Sequence, residues 1–453
     1  MPRNFERAMN DPLLERDEAK PDRLRAVAGG GLLHRRALLQ RGLVFASAVP
    51  AAAMAAEPTP SGPATPAPAS SAAAGDERPA WMRTPGAPFT PYGQPARHER
   101  AVARRISGNR LLPGNGVALT PLDELEGILT PSGLHFERHH NGTPDIEPAR
   151  HELLIAGLVK QPLAFRVDEL LRYPMRSHLG FIECGGNSNA GWHPEPIQRP
   201  AGSFHGLVSC SEWTGVPLSV LLAEAGLEKK AAWGVAEGAD AFAMNVSLPL
   251  AKLMDDCLVA LFQNGERIRP ENGYPLRLVV PGWEGVLNVK WLRRIELSEQ
   301  PAMARNETAK YTELLPSGKA RQFSFVMDAK SLLTSPSHGY KMKGPGLYQL
   351  SGLAWSGRGR IKRVDVSADG GRTWARAALD EPVLPRCFTR FRAPWRWDGK
   401  PAVLKSRATD ETGYVQPERT ALLAERGANG YFHYNAIVAW AVEDDGQVRH
   451  VYA

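Results

Sequence analysis

The stretch FIECGGNSNAGW, residues 181–192, places one cysteine between a short apolar run and two glycines. Phe181 and Ile182 predict the end of a strand, and the two glycines permit a sharp turn with close backbone approach. A thiol at a strand end faces a cleft more readily than one in mid-strand, and thiolate is a ligand that transition metals favour. One thiolate cannot hold a metal firmly, so a cofactor would have to supply the other ligands. The alternative is that Cys184 is a small buried hydrophobic residue.

The length and composition of the chain narrow the class of protein. The 453 residues, 43% of them hydrophobic, are enough for about two or three globular domains. The net charge of +7 is mild and dispersed, which argues against nucleic-acid binding. The four cysteines form no CxxC pair, which excludes a zinc ribbon, a thioredoxin-type site and a c-type haem attachment. Disulfides remain open for Cys210, Cys257 and Cys387.

Residues 1–56 read as an export signal. Arg35-Arg36 precedes an apolar run over residues 42–56 that ends in A-x-A-like sites. The pair of arginines followed by leucines suggests the twin-arginine route, which carries folded proteins to the periplasm. The apolar run of about 15 residues is short of the ~20 that span a bilayer, so no membrane span is expected. The long stretch ahead of the arginines is unusual, and the alternative is a chance arginine pair before an alanine-rich tail.

The rest of the chain divides into a linker and two folded regions. Residues 57–95 are rich in Pro and Ala and predict a flexible linker. Residues 96–325 mix short apolar strands with helical patterns such as 217–226, and predict a compact α+β domain. In residues 326–453 the stretch 361–374 alternates and turns at Asp-Gly-Gly like a hairpin, and no strong helix is expected. An immunoglobulin-like antiparallel sandwich fits this region best.

Several stretches in fixed order carry a resemblance to a known family. They are Phe136-Glu137-Arg138-His139-His140, Cys184-Gly185-Gly186-Asn187, Trp213 to Leu218, Gly273 to Arg277, Val289 to Leu292, Asp369 to Trp374, and Gln416-Pro417. From about residue 110 to its end, the chain thereby resembles the sulfite oxidase family of molybdenum enzymes. The resemblance implies a molybdopterin-binding domain followed by an immunoglobulin-like β-sandwich dimerisation domain.

The resemblance also implies roles for individual residues. Cys184 matches the thiolate ligand of molybdenum, which a pterin dithiolene otherwise holds, with one cofactor per chain. Tyr311 falls where the family places a tyrosine beside the metal's oxo group, and Arg138 joins these two as a catalytic residue. Basic side chains should gather around the pterin phosphate. The implied cofactor contacts are Phe136, Arg138, His139, His140, Asp240, Asn272, Arg277, Asn288, Val289 and Lys290. Taken singly, Tyr311 could equally be a half-buried core residue and Asp240 a turn residue.

The substrate pocket departs from the pattern of the sulfite-oxidising members. Those members carry an arginine where this chain has Asn189, and a second basic position aligns with His433. Losing fixed positive charge weakens the binding of a small dianion, since charge-assisted hydrogen bonds are about twice as strong as neutral ones. The ECGGNS stretch at 183–188, with RHHNG at 138–142, Lys310-Tyr311 and residues 395–399, looks most like the SoxC type, the molybdenum subunit of sulfane dehydrogenase. The implied substrate is the sulfane (persulfide) sulfur on a cysteine of a sulfur-carrier protein.

The resemblance further implies partners. Oxidising sulfur by oxo transfer from molybdenum releases electrons, and this chain has no haem-attachment motif, so a separate c-type cytochrome subunit is the implied acceptor. The sandwich domain implies a homodimer, and a heterotetramer with the cytochrome. A sulfite dehydrogenase (sulfite:cytochrome c oxidoreductase) subunit is the nearest alternative. A non-enzymatic exported binding protein also stays open, whereas residues 350–453 argue against a methionine-sulfoxide reductase, which lacks the sandwich.

Overall fold

The computed structural model describes residues 26–34, 79, 82, 85 and 87–453. The predicted signal's arginine pair and apolar run, and most of the predicted linker, therefore lie outside the described residues. Among the residues that are described, no helix has both the length and the apolar character that a membrane crossing requires.

The N-terminal folded part is a series of short strands joined by shorter helices. Its strands are β1 (Arg105–Gly108), β2 (Gly116–Leu119), β3 (Glu137–His139), β4 (Glu152–Gly157), β5 (Leu163–Arg166), β6 (Arg176–Glu183), β7 (Val208–Pro217), β8 (Trp233–Gly238), β9 (Asn245–Pro249), β10 (Leu258–Gln263), β11 (Glu266–Arg267), β12 (Arg277–Val279), β13 (Leu292–Ser298), β14 (Thr312–Leu314) and β15 (Ala320–Gln322). Its α-helices are α1 (Val167–Leu170), α2 (Ala201–His205), α3 (Leu218–Ala225), α4 (Leu250–Asp255) and α5 (Arg305–Ala309).

Two five-stranded sheets organise this part. One has the order β5-β4-β13-β8-β9, and the other has the order β11-β10-β7-β6 with β12 also paired to β10. Strands β4 and β13 run parallel, which adds a parallel pair to otherwise antiparallel sheets. Helix α3 buries Leu218, Leu221 and Leu222 and ends at Gly226, whose φ is 71°. The predicted helix and α+β class are confirmed.

The C-terminal part is a sandwich of two antiparallel sheets. Its strands are β16 (Lys330–Ser335), β17 (Gly346–Trp355), β18 (Ile361–Ser367), β19 (Ala375–Arg376), β20 (Ala378–Leu379), β21 (Thr389–Trp397), β22 (Ala402–Asp410), β23 (Ala439–Val442) and β24 (Val448–Val451). The sheets have the orders β16-β17-β21-β20 and β19-β18-β22-β23-β24. Trp355 and Trp395 from one sheet share a core with Val366 and Trp440 from the other. The predicted sandwich is confirmed, as is the hairpin of β18 and β19.

The expectation that this part lacks a helix is wrong at α6 (Arg419–Arg426). Its Leu422 is buried, and its buried Arg426 donates to Glu313 of the N-terminal part at 2.8 Å. The helix forms where it can bury these two side chains against the neighbouring part. Only these two side chains of the helix are buried, and both are buried by contacts with segments distant in sequence.

The two parts share one hydrophobic core behind β6. Phe181 of β6 stacks on Phe388 at 6.5 Å between ring centroids, and Phe388 also contacts Trp355 at 5.2 Å. Cys210 and Cys387 lie in the same core as free thiols, with their Sγ atoms 3.4 Å apart. The sandwich is therefore packed directly behind the strand that leads to Cys184.

Candidate functional site

Cys184 lies at the end of β6, where the chain turns sharply. Its N–H donates to the carbonyl of Leu207 at 2.9 Å, and its carbonyl accepts from the N–H of Asn187 at 2.8 Å. A Cβ atom at Gly185 would overlap the carboxylate of Glu284, so only glycine fits there. The turn therefore presents the Cys184 thiol away from the strand, as the sequence predicted.

A buried ion pair supports this turn from below. Glu183 and Lys330 are 2% and 1% exposed, and Lys330 Nζ lies 3.1 Å from Glu183 Oε1. The same carboxylate accepts from Trp355 Nε1 at 2.7 Å and from Asn187 Nδ2 at 2.9 Å, and Lys330 donates to Ser188 Oγ at 2.7 Å. Because Lys330 and Trp355 belong to the sandwich, both folded parts position the residues around Cys184.

Burial raises the pKa of the Cys184 thiol to about 11, although the N–H of Gly186 partly opposes the shift and Glu284 adds to it. Such a thiol stays protonated at neutral pH unless a cation stabilises the thiolate. A metal ion does this, because a coordinating thiol is deprotonated outright. The site therefore favours metal ligation by Cys184 over a free thiolate.

A narrow slot of about 80 Å³ opens beside the thiol. The predicted cofactor residues that line it are Phe136, Arg138, His139, His140, Asp240, Arg277, Asn288, Val289 and Lys290, together with Cys184 and Tyr311. The predicted contact Asn272 lies behind the slot, where its carbonyl accepts from Arg277 at 2.8 Å and its amide donates to Gln263 at 2.9 Å. Asn272 thus orients Arg277.

The slot concentrates positive charge that the described residues leave uncompensated. Burial lowers the pKa of Arg277 to about 9, and burial with the charge of Arg277 lowers the pKa of Lys290. Within the described part of the chain, no carboxylate lies within 4.0 Å of the charged groups of Arg138, Arg277 or Lys290. The Nε of Arg277 is buried without a hydrogen-bond partner. Such charges call for a bound anion.

The remaining slot residues offer hydrogen-bonding groups. Lys290 Nζ lies 2.8 Å from His139 Nδ1, and His139 Nε2 lies 2.7 Å from Glu137 Oε2. His140 stacks on Phe242 at 4.2 Å, and burial together with Arg138 lowers the pKa of its imidazole to about 4. His140 is thus neutral at pH 7. The slot offers a neutral imidazole, cations and the Asp240 carboxylate.

These groups fit a phosphorylated pterin. Buried cations suit its phosphate, the Asp240 carboxylate can accept from pterin N–H groups, and the thiol can reach a metal held beside them. The donor set thus matches each chemical part of the cofactor that the sequence suggested.

A second, wider cavity of about 970 Å³ meets the slot at the thiol. Arg138, His140, Cys184 and Tyr311 line both. The wide cavity extends from buried Ser188 to Leu314, which is 73% exposed, so it reaches the surface. Its wall combines residues of the N-terminal part with the loop 429–432 of the sandwich. Residues of both folded parts therefore line this approach to Cys184.

Family models match most of the folded chain. The oxidoreductase molybdopterin binding domain matches residues 140–306, and the Mo-co oxidoreductase dimerisation domain matches residues 321–439. The solved structure of the sulfane dehydrogenase SoxCD from Paracoccus pantotrophus is 45% identical with a TM-score of 0.81, and the match covers 83% of this chain and 98% of that one. The chain belongs to the sulfite oxidase family of molybdopterin enzymes.

Curated members of the sulfite oxidase family are more distant. Mitochondrial sulfite oxidase of Mus musculus is 32% identical over 73% of this chain and 64% of that protein. The NADH nitrate reductase of Solanum lycopersicum is 31% identical over 66% of this chain and 37% of that protein. The chain thus spans less than two thirds of these relatives. It is a molybdopterin oxidoreductase that resembles SoxC, and its molybdopterin-binding domain implies a molybdenum–pterin cofactor.

The residues predicted for the substrate pocket lie in different places. Asn189 lines the wide cavity, just after Ser188, whose φ is 64°. Tyr311 lies at the junction of slot and cavity, and its ring stacks on Phe432 at 4.8 Å. His433 lies behind the Cys184 turn, where its N–H donates to Gly185 and its Nε2 is 3.4 Å from Glu284. His433 thus contacts Glu284 and lines neither the slot nor the wide cavity.

Sequence reasoning missed several residues of this family member's site. Arg199, Arg305, Tyr431 and Phe432 line the wide cavity. Two adjacent aromatic residues after Asn429-Gly430 were the available signal, because exposed aromatic residues on glycine-flanked loops commonly serve binding. Lys330 carried no signal at all, because nothing local marks a lysine for burial.

Proposed function

We propose that the protein oxidises the sulfane sulfur of a persulfide carried on a cysteine of a sulfur-carrier protein, within thiosulfate and sulfur oxidation. Support comes from the 45% identity to a chain whose structure is described as a sulfane dehydrogenase. Asn189 in place of the family's arginine adds to it, because a neutral amide suits a sulfur that carries less charge than sulfite.

The width of the approach to Cys184 carries this proposal. A cavity of about 970 Å³ is far larger than a sulfite ion needs, since pockets of ~300–1,000 Å³ hold whole drug-sized ligands. Exposed Tyr431 stands at its mouth, where it can pack against a protein-borne arm. Such an arm would carry the persulfide from the surface to the thiol.

The balance of the reaction is simple. Each round adds one oxygen atom, derived from water, to the sulfur and releases two electrons and two protons. When bound, the cofactor supplies a metal centre that accepts those electrons and transfers the oxygen. The residues of this chain would hold the reactants in place: Cys184 would ligate the metal, and the phenol of Tyr311 would donate a hydrogen bond to the oxygen being transferred. Burial raises the pKa of Tyr311, which keeps the proton on the phenol.

The electrons need an acceptor, and we propose a separate c-type cytochrome subunit. We further propose that the dimerisation domain joins two copies of this chain, that the cytochrome completes a heterotetramer, and that the assembly works in the periplasm after twin-arginine export. The sequence of residues 35–56 supports the export route.

Steady-state kinetics test the substrate proposal. The purified holoenzyme is compared on sulfite and on a persulfidated carrier, with a c-type cytochrome as acceptor. We expect kcat/KM for the carrier to exceed that for sulfite. Asn189→Arg should reverse this preference and raise kcat/KM for sulfite about tenfold or more, the scale of one charge-assisted hydrogen bond. Efficient turnover of sulfite at low micromolar concentration by the unaltered enzyme would contradict the proposal.

Sulfite remains the second candidate because of one observation. Arg138, Arg199, Arg305 and Lys310 all line the wide cavity, and these cations would attract a small dianion. The same kinetic comparison decides between the two, since the two candidates predict opposite preferences.

A further inference from the structure

Residues 26–34, here called the N-terminal arm, pack against the sandwich. Leu32 forms an antiparallel bridge with Trp395 of β21, and the N–H of Leu33 donates to the carbonyl of Pro394 at 3.0 Å. Strand β20 pairs with β21 only at Phe391 and Arg392. The arm therefore takes up the edge of β21 where β20 ends.

Side chains and backbone on both sheets of the sandwich hold the arm. Trp395 Nε1 donates to the carbonyl of Gly30 at 2.6 Å, and the N–H of Gly29 donates to Thr373 Oγ1 at 2.7 Å. Leu32 is 0% exposed and belongs to the sandwich core. A surface strand lying loosely on the domain would not bury a leucine completely.

The glycines of the arm match their surroundings one by one. Gly30 and Gly31 have φ values of 66° and 88°, a conformation that favours glycine. A Cβ atom at Gly31 would overlap the carbonyl oxygen of Arg396, and one at Gly30 would lie 2.5 Å from the carbonyl oxygen of Ala368. The sequence Gly-Gly-Gly-Leu-Leu is thus complementary to this groove at successive positions.

We propose that the sandwich carries a docking groove for the chain's own N-terminal arm, and that the docked arm withholds the export signal that follows at Arg35-Arg36. This inference rests on the proposed export. The groove exists only once the sandwich has folded, because Trp395 comes from β21 whereas Ala368 and Thr373 come from the turn between β18 and β19. The arm therefore docks only in the folded chain, and export of the folded chain requires that the arm be released first.

The contact is small enough to release the arm. It consists of a short backbone pairing, two polar contacts from Trp395 and Thr373, and the burial of two leucines. The export machinery would release the arm from the groove by binding the signal.

Hydrogen exchange on the full chain tests the groove. The amides of Gly29 and Leu33 donate hydrogen bonds to the sandwich, so the peptide that spans the arm should exchange at least tenfold more slowly in the unaltered chain than in Leu32→Asp. Val27→Asp is the matched control, because Val27 is 40% exposed, and it should keep the protection. Gly31→Val, which leaves both leucines in place, should lose it. Equal exchange of the arm in the unaltered chain and in both disrupted variants would overturn the groove.

The fold of each variant is checked in the same experiment through β22, whose exchange should not change. Pulse-labelling in cells then tests whether the docked arm delays export. Leu32→Asp should reach the periplasm several-fold faster than the unaltered chain and Val27→Asp. Equal or slower export of Leu32→Asp would contradict the proposal that the docked arm withholds the signal. If the unaltered chain is never exported, both the export proposal and the proposed withholding of the signal fail. The exchange result still decides whether the groove binds the arm.

Discussion

The slot and the wide cavity meet at one sulfur atom, yet they are built in opposite ways. The slot is narrow, lies within the N-terminal part and is lined by cations such as the buried Arg277 and the half-buried Lys290. The cavity is wide, reaches the surface and takes part of its wall from the sandwich loop 429–432. A slot of this kind is specific for one anionic group, whereas the cavity can accept a larger partner. Changes on the two sides should therefore affect different properties.

Lys330→Met should have the largest effect, because it disturbs the turn that both regions share. Removing one partner of a buried ion pair leaves Glu183 charged and unpaired, which costs about 3–5 kcal/mol of the free energy of unfolding. Urea unfolding measures the loss. Lys362→Met, on an exposed position of the sandwich, is the control and should change little. A loss below ~1 kcal/mol in Lys330→Met would show that the ion pair does not support the turn.

Arg277→Met should separate cofactor binding from protein stability. We expect at least tenfold weaker retention of pterin, because one charge-assisted hydrogen bond is worth about 1.5–3 kcal/mol. The cofactor-free protein should be as stable as before or more so, since its guanidinium is buried without a carboxylate partner. Pterin fluorescence after acid release and urea unfolding give the two readouts.

Exposed Arg172→Met is the matched control for this substitution and should retain its pterin. If Arg277→Met destabilises the cofactor-free protein while the surviving folded fraction keeps its pterin, Arg277 has a structural role and the slot is misassigned.

Tyr431→Ala tests the cavity side. Loss of an exposed aromatic contact should raise KM for the persulfidated carrier roughly three- to tenfold, the scale of a moderate interface residue. The KM for sulfite and the pterin content should stay the same. Tyr340→Ala, at a comparably exposed position of the sandwich, controls for general effects. A fall in the pterin content of Tyr431→Ala with an unchanged KM for the carrier would show that the cavity and the slot do not have separate functions.

The smallest effect on the free energy of unfolding is expected from His135→Leu, and it disappears at neutral pH. Burial lowers the pKa of this imidazole to about 3, with Arg277 and Lys290 adding to the shift. A group whose pKa is lower in the folded state favours unfolding as the pH falls below its unfolded value of ~6.5. Between pH 7.5 and pH 5.5, His135 should therefore account for about 1 kcal/mol of the stability that the unaltered protein loses, and His135→Leu should lose that much less. Identical pH dependence of urea unfolding in both proteins would exclude this source of acid sensitivity.

The sequence was informative where chemistry and local geometry coincide. Phe181-Ile182 followed by a thiol and two glycines predicted a strand end with a thiol facing a cleft, and the structure has β6 end at Glu183 with Cys184 lining both slot and cavity. The leucines of 218–222 marked helix α3 by their spacing. The resemblance to the family supplied the slot residues, which are dispersed from Phe136 to Lys290 and share no local pattern.

Contacts between distant segments could not be predicted in this way. Lys330 reaches Glu183 across 147 residues, and its burial depends on a sheet packed behind β6. Helix α6 was missed because its burial depends on Glu313 in the other part of the molecule. The N-terminal arm was missed because its glycines fit a groove that exists only in the folded sandwich.

The sulfur coordination of the metal tests the central claim most directly. X-ray absorption at the molybdenum edge of the holoenzyme counts the sulfur neighbours of the metal in the unaltered protein and in Cys184→Ser. We predict one sulfur neighbour fewer in the variant, with the pterin still in the slot. An unchanged sulfur count would show that Cys184 is not the ligand and would contradict the account.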